Sequence, residues 1–287
     1  MLNSIFISDL HGSVSRYEKL FTYIKNHKPD VLFLGGDLLS AGSGYYNGSI
    51  NKRQNFLTEY FVKQFSKLKN ELAENYPRVI LILGNDDARI NEQHILDGEE
   101  IGLWNYINQK SVQIEEFKIY GYNFVPPTPF QLKDWEKYDV SRYVDTGCIS
   151  PEAGKRTVAV DKSEIKFSTI KDDLKKLYDG HTLDKSIFLF HSPPHKTKLD
   201  RAALDGKTID HVSVDVNVGS IAIRRFIEKR QPMLTLHGHI HESSALTGCW
   251  QDKIGKTICF NAAILGSKLS IIKFNLNSIE HAERIVI

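Results

Sequence analysis

The sequence predicts an α/β fold that carries a second sheet, and three observations lead there. Short runs rich in Ile, Val, Leu and Phe recur along the 287 residues and end at polar or glycine-containing turns. Longer amphipathic stretches lie between several of these runs, which is the rhythm of βαβ units. From Gly255 onward the character changes to β-type segments joined by short turns, with no helix between them.

In chain order, strands are expected at 4–8, 31–35, 79–83, 187–191 and 233–237. Their unbroken apolar character suits a sheet covered on both faces. Helices are expected at 14–26, 56–74, 99–108, 163–178 and 220–229, the first and fourth preceded or opened by serine, a favoured capping residue. The C-terminal β segments fall at 257–260, 269–275 and 279–287 and suggest the second sheet. Two stretches are expected to be loop insertions: 40–54, rich in Gly, Ser and Asn, and 126–156, which contains Pro-Pro-Thr-Pro. Composition suits them to solvated surface, and length suits them also to a lid or a substrate rim. No internal repeat or Gly/Ser linker divides the chain, so a single domain over 1–287 is expected.

Bulk properties narrow the function classes. With 41% apolar and 25% charged residues, the composition is that of an ordinary soluble protein. A formal charge of +2 shows no global basic excess, so nothing in it supports a nucleic-acid partner. The three cysteines lack CxxC spacing, which argues against a disulfide framework or a thiolate zinc cage and favours the reducing cytoplasm. MLNSIFISDLHG has no basic start followed by a long apolar core, so a first strand is expected there instead of a signal peptide. No run approaches the ~18 apolar residues of a membrane-spanning helix, so no membrane partner is expected.

Four of the five expected strands end at a residue able to bind a cation: Asp9 after IFIS, Asp37 after VLFLGG, Asn85 after VILILG, and His191 after IFLF. The fifth runs into His237-Gly238-His239-Ile240-His241. A single strand-terminal Asp is more often a cap, and a single His more often structural. In open α/β sheets, however, ligands bind in the crevice beyond the carboxyl ends of the strands, where such residues converge.

The ordered blocks Asp9-x-His11-Gly12, Gly36-Asp37, Gly84-Asn85, a strand-ending His191 and Gly238-His239-x-His241 resemble the calcineurin-like metallophosphoesterases. Together with TPF-x-LKDWEK at 128–137, they look like a prokaryotic branch with Gly-Asn-Asp in place of Gly-Asn-His. The resemblance implies a four-layer α/β/β/α sandwich, two mixed β-sheets flanked by helices. It also implies two divalent metal ions, the first held by Asp9, His11 and His241, the second by Asn85, His191 and His239, with Asp37 bridging them. Oxygen and nitrogen donors without thiolate suit Mn, Fe, Zn or Ni. The implied activity is hydrolysis of a phosphodiester or an activated phosphomonoester by a hydroxide shared between the metals, on a small-molecule phosphoester. A nuclease and a non-catalytic scaffold of the same fold are the rival expectations.

One block departs from the pattern. The family histidine that assists the leaving group is replaced in Gly84-Asn85-Asp86-Asp87 by Asp86. Two dications should favour the charged form of Asp86, and an ionised carboxylate cannot donate a proton. His195, four residues past His191, is the candidate substitute acid, so Asp86 and His195 are the two candidate catalytic residues. His237 is expected to be structural. Arg16, Lys196, Lys198 and Arg201 are candidates for phosphate contact.

Overall fold

A computed structural model of the chain describes residues 2–39, 56–178, 180 and 182–287, so the loop expected at 40–54 lies outside the described residues. The first half holds β1 (Asn3–Ile7), α1 (Val14–His27), β2 (Val31–Gly35), α2 (Val62–Leu72), β3 (Arg78–Ile82), α3 (Glu92–Glu100), β4 (Asn105–Tyr106), β5 (Ser111–Ile114) and β6 (Phe117–Tyr122). The second holds α4 (Lys162–Phe167), α5 (Ile170–Leu177), β7 (Ser186–Phe190), β8 (Thr208–Ile209), β9 (Val212–Ser213), α6 (Ile221–Arg230), β10 (Leu234–His237) and α7 (Ser243–Thr247). It closes with β11 (Gln251–Ile254), β12 (Thr257–Asn261), β13 (Ser270–Asn275) and β14 (Ser278–Val286).

Two mixed six-stranded sheets result, in the orders β14-β13-β1-β2-β3-β4 and β11-β12-β10-β7-β6-β5. Each has four parallel strands at its heart, β1 to β4 in one and β12-β10-β7-β6 in the other, with antiparallel strands outside them. Side-chain alternation then builds the layers. Phe6, Phe33, Ile80 and Ile82 from the first sheet share one buried cluster with Ile119, Ile187, Leu189 and Leu236 from the second, so these faces pack together. The alternate residues Ile5, Leu32, Leu34 and Leu81 face Leu20, Ile24 and Phe65 of the helices, while Phe188 and Phe190 do so on the other side with Leu174 and Ile223. Both faces of each parallel core are covered, which is why the strands read as unbroken apolar runs.

Several expectations change on contact with the fold. The stretch from Gly255 does not build the second sheet alone: β12 joins β7 and β10, whereas β13 and β14 extend the sheet of β1. The helix expected at 99–108 is instead α3 at Glu92–Glu100, after which Gly102 (φ 73°) turns the chain into β4. Leu103, Trp104 and Tyr106, the apolar residues taken for a helical face, are buried in that turn and strand. The helix expected at 163–178 is broken because Thr169 caps a second helix, accepting from the Asp172 amide at 3.1 Å. The β5–β6 hairpin carries no turn signal in the sequence, because its turn holds Glu115 at φ 48° where asparagine or glycine is usual.

The segment 126–156 does lack helices and strands, but much of it is not solvated surface. Residues 132–138 are all buried and cross-linked by their own charges. Lys133 Nζ donates to Glu136 Oε2 at 2.5 Å and to the Thr128 carbonyl at 2.8 Å. Among the described residues no helix is long and apolar enough to cross a membrane.

Candidate metal centre

Parallel strands deliver their carboxyl ends to one edge, and the candidate residues follow those ends. Asp9 succeeds β1, Asp37 succeeds β2, Asn85 succeeds β3, His191 succeeds β7, and His239 and His241 succeed β10. Asp9, His11, Asp37 and His239 have positive φ angles of 59°, 47°, 50° and 72°. Non-glycine residues held there cost about 1–3 kcal/mol each, strain that characteristically gathers at functional sites. Main-chain bonds stitch the strained loops together, Asp9 N–H to Gly36 O at 3.0 Å and His11 N–H to Asp37 O at 2.8 Å. Two glycines make room: a Cβ at Gly84 would strike Asp37 and His191, and one at Gly238 would strike Ser8 and Asp9.

The donors meet in two groups. Asp9, His11 and His241 form one, with His241 Nε2 at 3.1 Å from both Asp9 Oδ1 and His11 Nε2. Asp37, His191 and His239 form the other, with His191 Nε2 at 3.2 Å from Asp37 Oδ2 and 3.2 Å from Asn85 Oδ1. Asp37 Oδ2 also lies 3.8 Å from His11 Nε2, so one carboxylate reaches both groups. A third overlapping group comprises His11, Asp37 and Asp86.

The electrostatics suit cations. Burial works against ionisation of Asp9, but the hydrogen bond and charge of His241 outweigh it and bring its carboxyl down to about 2. Asp37 is likewise buried, yet His191 holds it well below the usual carboxylate range. Burial pushes His239 down to about 3 and lowers His11, leaving both imidazoles neutral with a lone pair to give. Burial first, and the Asp37 charge second, push Asp86 up to about 7. That is opposite to the shift expected from two dications, whose field would act against both causes. Burial works against charge on His191 and His241 as well, but Asp37 raises the first to about 10 and Asp9 raises the second. Hard oxygen donors, imidazoles and no thiolate form a set that fits divalent metal ions, whose binding would displace such protons.

Neighbours not singled out beforehand hold the site in shape. Buried Asp87 accepts from the amides of Leu39 at 2.7 Å, Gly84 at 2.9 Å and Leu38 at 3.1 Å, tying the Asp37 loop to the Asn85 loop. Its own carbonyl accepts from Trp135 Nε1 at 2.7 Å, which docks the 126–156 segment beside the centre. Ser8 Oγ donates to Asp9 Oδ2. The only signal for these contacts in the sequence was proximity to a motif.

Other candidates find different places. His237 is fully buried; its Nδ1 bonds the Ser192 carbonyl at 2.9 Å and its Nε2 bonds Thr235 Oγ1 at 2.7 Å, so both ring nitrogens are occupied away from the donor groups. Arg16 is not free for phosphate: its guanidinium is spent on the carbonyls of Asp9, Ile264 and Gly266. Arg201 is engaged by Asp205 and by the Ala202 carbonyl. His195 lies between Asp200, 3.8 Å from Nδ1, and Asp215, 4.0 Å from Nε2.

Comparison with known proteins agrees with this architecture. Residues 2–243 match the family described as calcineurin-like phosphoesterase. No curated protein matches the chain. A crystal structure of TT1561 from Thermus thermophilus superposes with a TM-score of 0.57 at 14% identity, covering 98% of this chain and 97% of that one. Another crystal structure reaches a TM-score of 0.60 at 16% identity, covering 100% of this chain and 98% of the other. A novel archaeal phosphodiesterase aligns over 99% of both chains at 10% identity with a TM-score of 0.47.

Proposed function

The chain belongs to the calcineurin-like phosphoesterase family, and on that premise we propose that it hydrolyses a small phosphodiester or activated phosphomonoester with the help of two divalent cations. The observation that carries this reading is Asp37, whose Oδ2 lies 3.2 Å from His191 in one donor group and 3.8 Å from His11 in the other. A carboxylate so placed can serve two cations at once. Two such ions, when bound, would supply an acidified water as nucleophile and neutralise charge on the phosphoryl oxygens.

The chain's own residues do the rest. Asp9, His11 and His241 would hold one ion, and Asn85, His191 and His239 the other. The Asp86 amide donates to Asp37 Oδ1 at 2.8 Å, leaving Oδ2 turned to both groups. No histidine follows Asn85 to protonate a departing alkoxide. Substrates with stable leaving groups, such as aryl phosphates, aryl phosphodiesters or phosphoanhydrides, are therefore favoured over alkyl monoesters. Three free cysteines support a cytoplasmic setting.

The test combines elemental analysis with a substrate panel. Protein reconstituted with Mn²⁺, Fe²⁺ or Zn²⁺ should hold two ions and turn over aryl phosphodiesters faster than alkyl phosphates. One ion per chain at saturating metal would sink the dinuclear assignment. Two ions without turnover across the panel would sink the catalytic one.

A further inference from the structure

Asp86 stands where the family pattern has a histidine, and its carboxylate lies across the two donor groups. Oδ1 accepts from Asn85 Nδ2 at 3.3 Å, and Oδ2 faces His11 Nδ1 at 3.5 Å. We propose that Asp86 is a positioning residue that orients a ligand of each metal at once, an inference that rests on the dinuclear reading above.

The two arms do different work. An amide side chain has an oxygen end with lone pairs and an NH₂ end without any, so only one of its two flips can bind a cation. By taking the NH₂ group, Asp86 turns Asn85 Oδ1 inward, where it lies 3.2 Å from His191 Nε2. A histidine has the analogous choice between tautomers. A carboxylate opposite Nδ1 selects the form protonated there and leaves the lone pair on Nε2. In His11, Nε2 is the atom that faces His241 at 3.1 Å and Asp37 at 3.8 Å.

The main chain adds a third hold, since the Asp86 amide donates to the bridging candidate Asp37. Residue 86 thus touches a candidate ligand of each ion and the one between them. A neutral imidazole offers one acceptor nitrogen and cannot receive both the Asn85 and the His11 protons. Replacing Asp86 by the family histidine therefore removes an arm and is not a simple gain of an acid.

The experiment reads metal binding without substrate. Mn²⁺ is titrated into wild type, Asp86→Ala, Asp86→Asn and Asp86→His, with thermal unfolding in chelator as the control for folding. Losing a group that orients a metal ligand typically costs about ten- to a hundredfold in affinity. Asp86→Ala should weaken both sites to that extent, while Asp86→Asn, which keeps one acceptor, should lose less. In Co²⁺-loaded protein the exchangeable Nδ1–H resonance of His11 should be sharp in wild type and broadened by solvent exchange in Asp86→Ala. Unchanged Mn²⁺ affinity at both sites in Asp86→Ala, with turnover alone impaired, would overturn the proposal and mark Asp86 as a substrate contact. If Asp86→Ala does not fold, the near-isosteric Asp86→Asn decides by the same criteria. A wild-type protein that binds no Mn²⁺ would instead remove the dinuclear reading itself.

Discussion

Two buried charged constellations lie side by side in this protein, joined through the bond from Trp135 to the Asp87 carbonyl, and they are balanced in opposite ways. In the 126–156 segment, Lys133 and Glu136 neutralise each other at 2.5 Å, and Thr128 supplies two further bonds to the carboxylate at 2.6 and 2.8 Å. Next to them Lys137 pairs with Asp173 at 2.8 Å. At the strand ends, by contrast, the only ion partners within 4.0 Å of Asp9, Asp37 and Asp86 among the described residues are histidines. Both regions bury carboxylates, but only the first pairs them with lysines. A closed pair is a structural device, whereas carboxylates gathered around imidazoles, which can exchange a proton for a metal ion, are complementary to such ions.

The contrast can be broken most sharply at Asp37. Asp37→Asn should lower hydrolysis by more than the roughly ten- to hundredfold typical of losing a group that merely orients a ligand. In chelator the same variant should also unfold more easily than wild type, because folding holds the Asp37 carboxyl well below its ordinary range and the buried His191 imidazole loses the charge that raises it to about 10. Hydrolysis rates and chelator-phase melting curves check the two halves. Near wild-type turnover would remove Asp37 from the centre.

Lys133→Met applies the complementary change to the closed pair and should cost about 3–5 kcal/mol in urea unfolding, since it strands a buried carboxylate. Adding Glu136→Leu should recover most of that loss. A single variant as stable as wild type would show that the pair is not the staple its burial suggests. His237→Ala should cost on the order of 2 kcal/mol, because the buried Thr235 hydroxyl and Ser192 carbonyl lose their partner. Its metal content, read by elemental analysis, should stay at the wild-type value, and an emptied site would mean that His237 is a ligand. The smallest effect is expected at His195, whose contacts run to Asp200 and Asp215. His195→Ala should cost much less than the roughly 10²–10⁴-fold attributed to general acid catalysis. A loss of that size, steepest for poor leaving groups, would identify His195 as the acid.

Much of this was legible in the chain because of where the donors fall. Asp9, Asp37 and Asn85 each follow an apolar run through a serine or glycine, and that local pattern marks a strand end wherever the strand is placed. The β5–β6 hairpin and α3 were missed for the converse reason. Glu115 makes a turn without a turn residue, and Trp104 and Tyr106 are apolar for a tertiary purpose that imitates helical spacing.

By itself, then, the sequence determined β1, β2, β3, β7 and β10 of the parallel cores, the ends at which they stop and the donor each presents there. These properties depend on backbone preference and side-chain period within a few residues. Only the tertiary structure decided which strands share a sheet, that β12 would part from β13 and β14, and that the 132–138 stretch would be buried. It alone brought His241 to 3.1 Å from Asp9 and placed Asp86 against both Asn85 and His11. Those outcomes turn on which apolar face covers which and on loops held in left-handed conformations that no short window of sequence specifies. Contacts between residues 230 or more positions apart follow from burial of the whole, and local propensity carries no term for them.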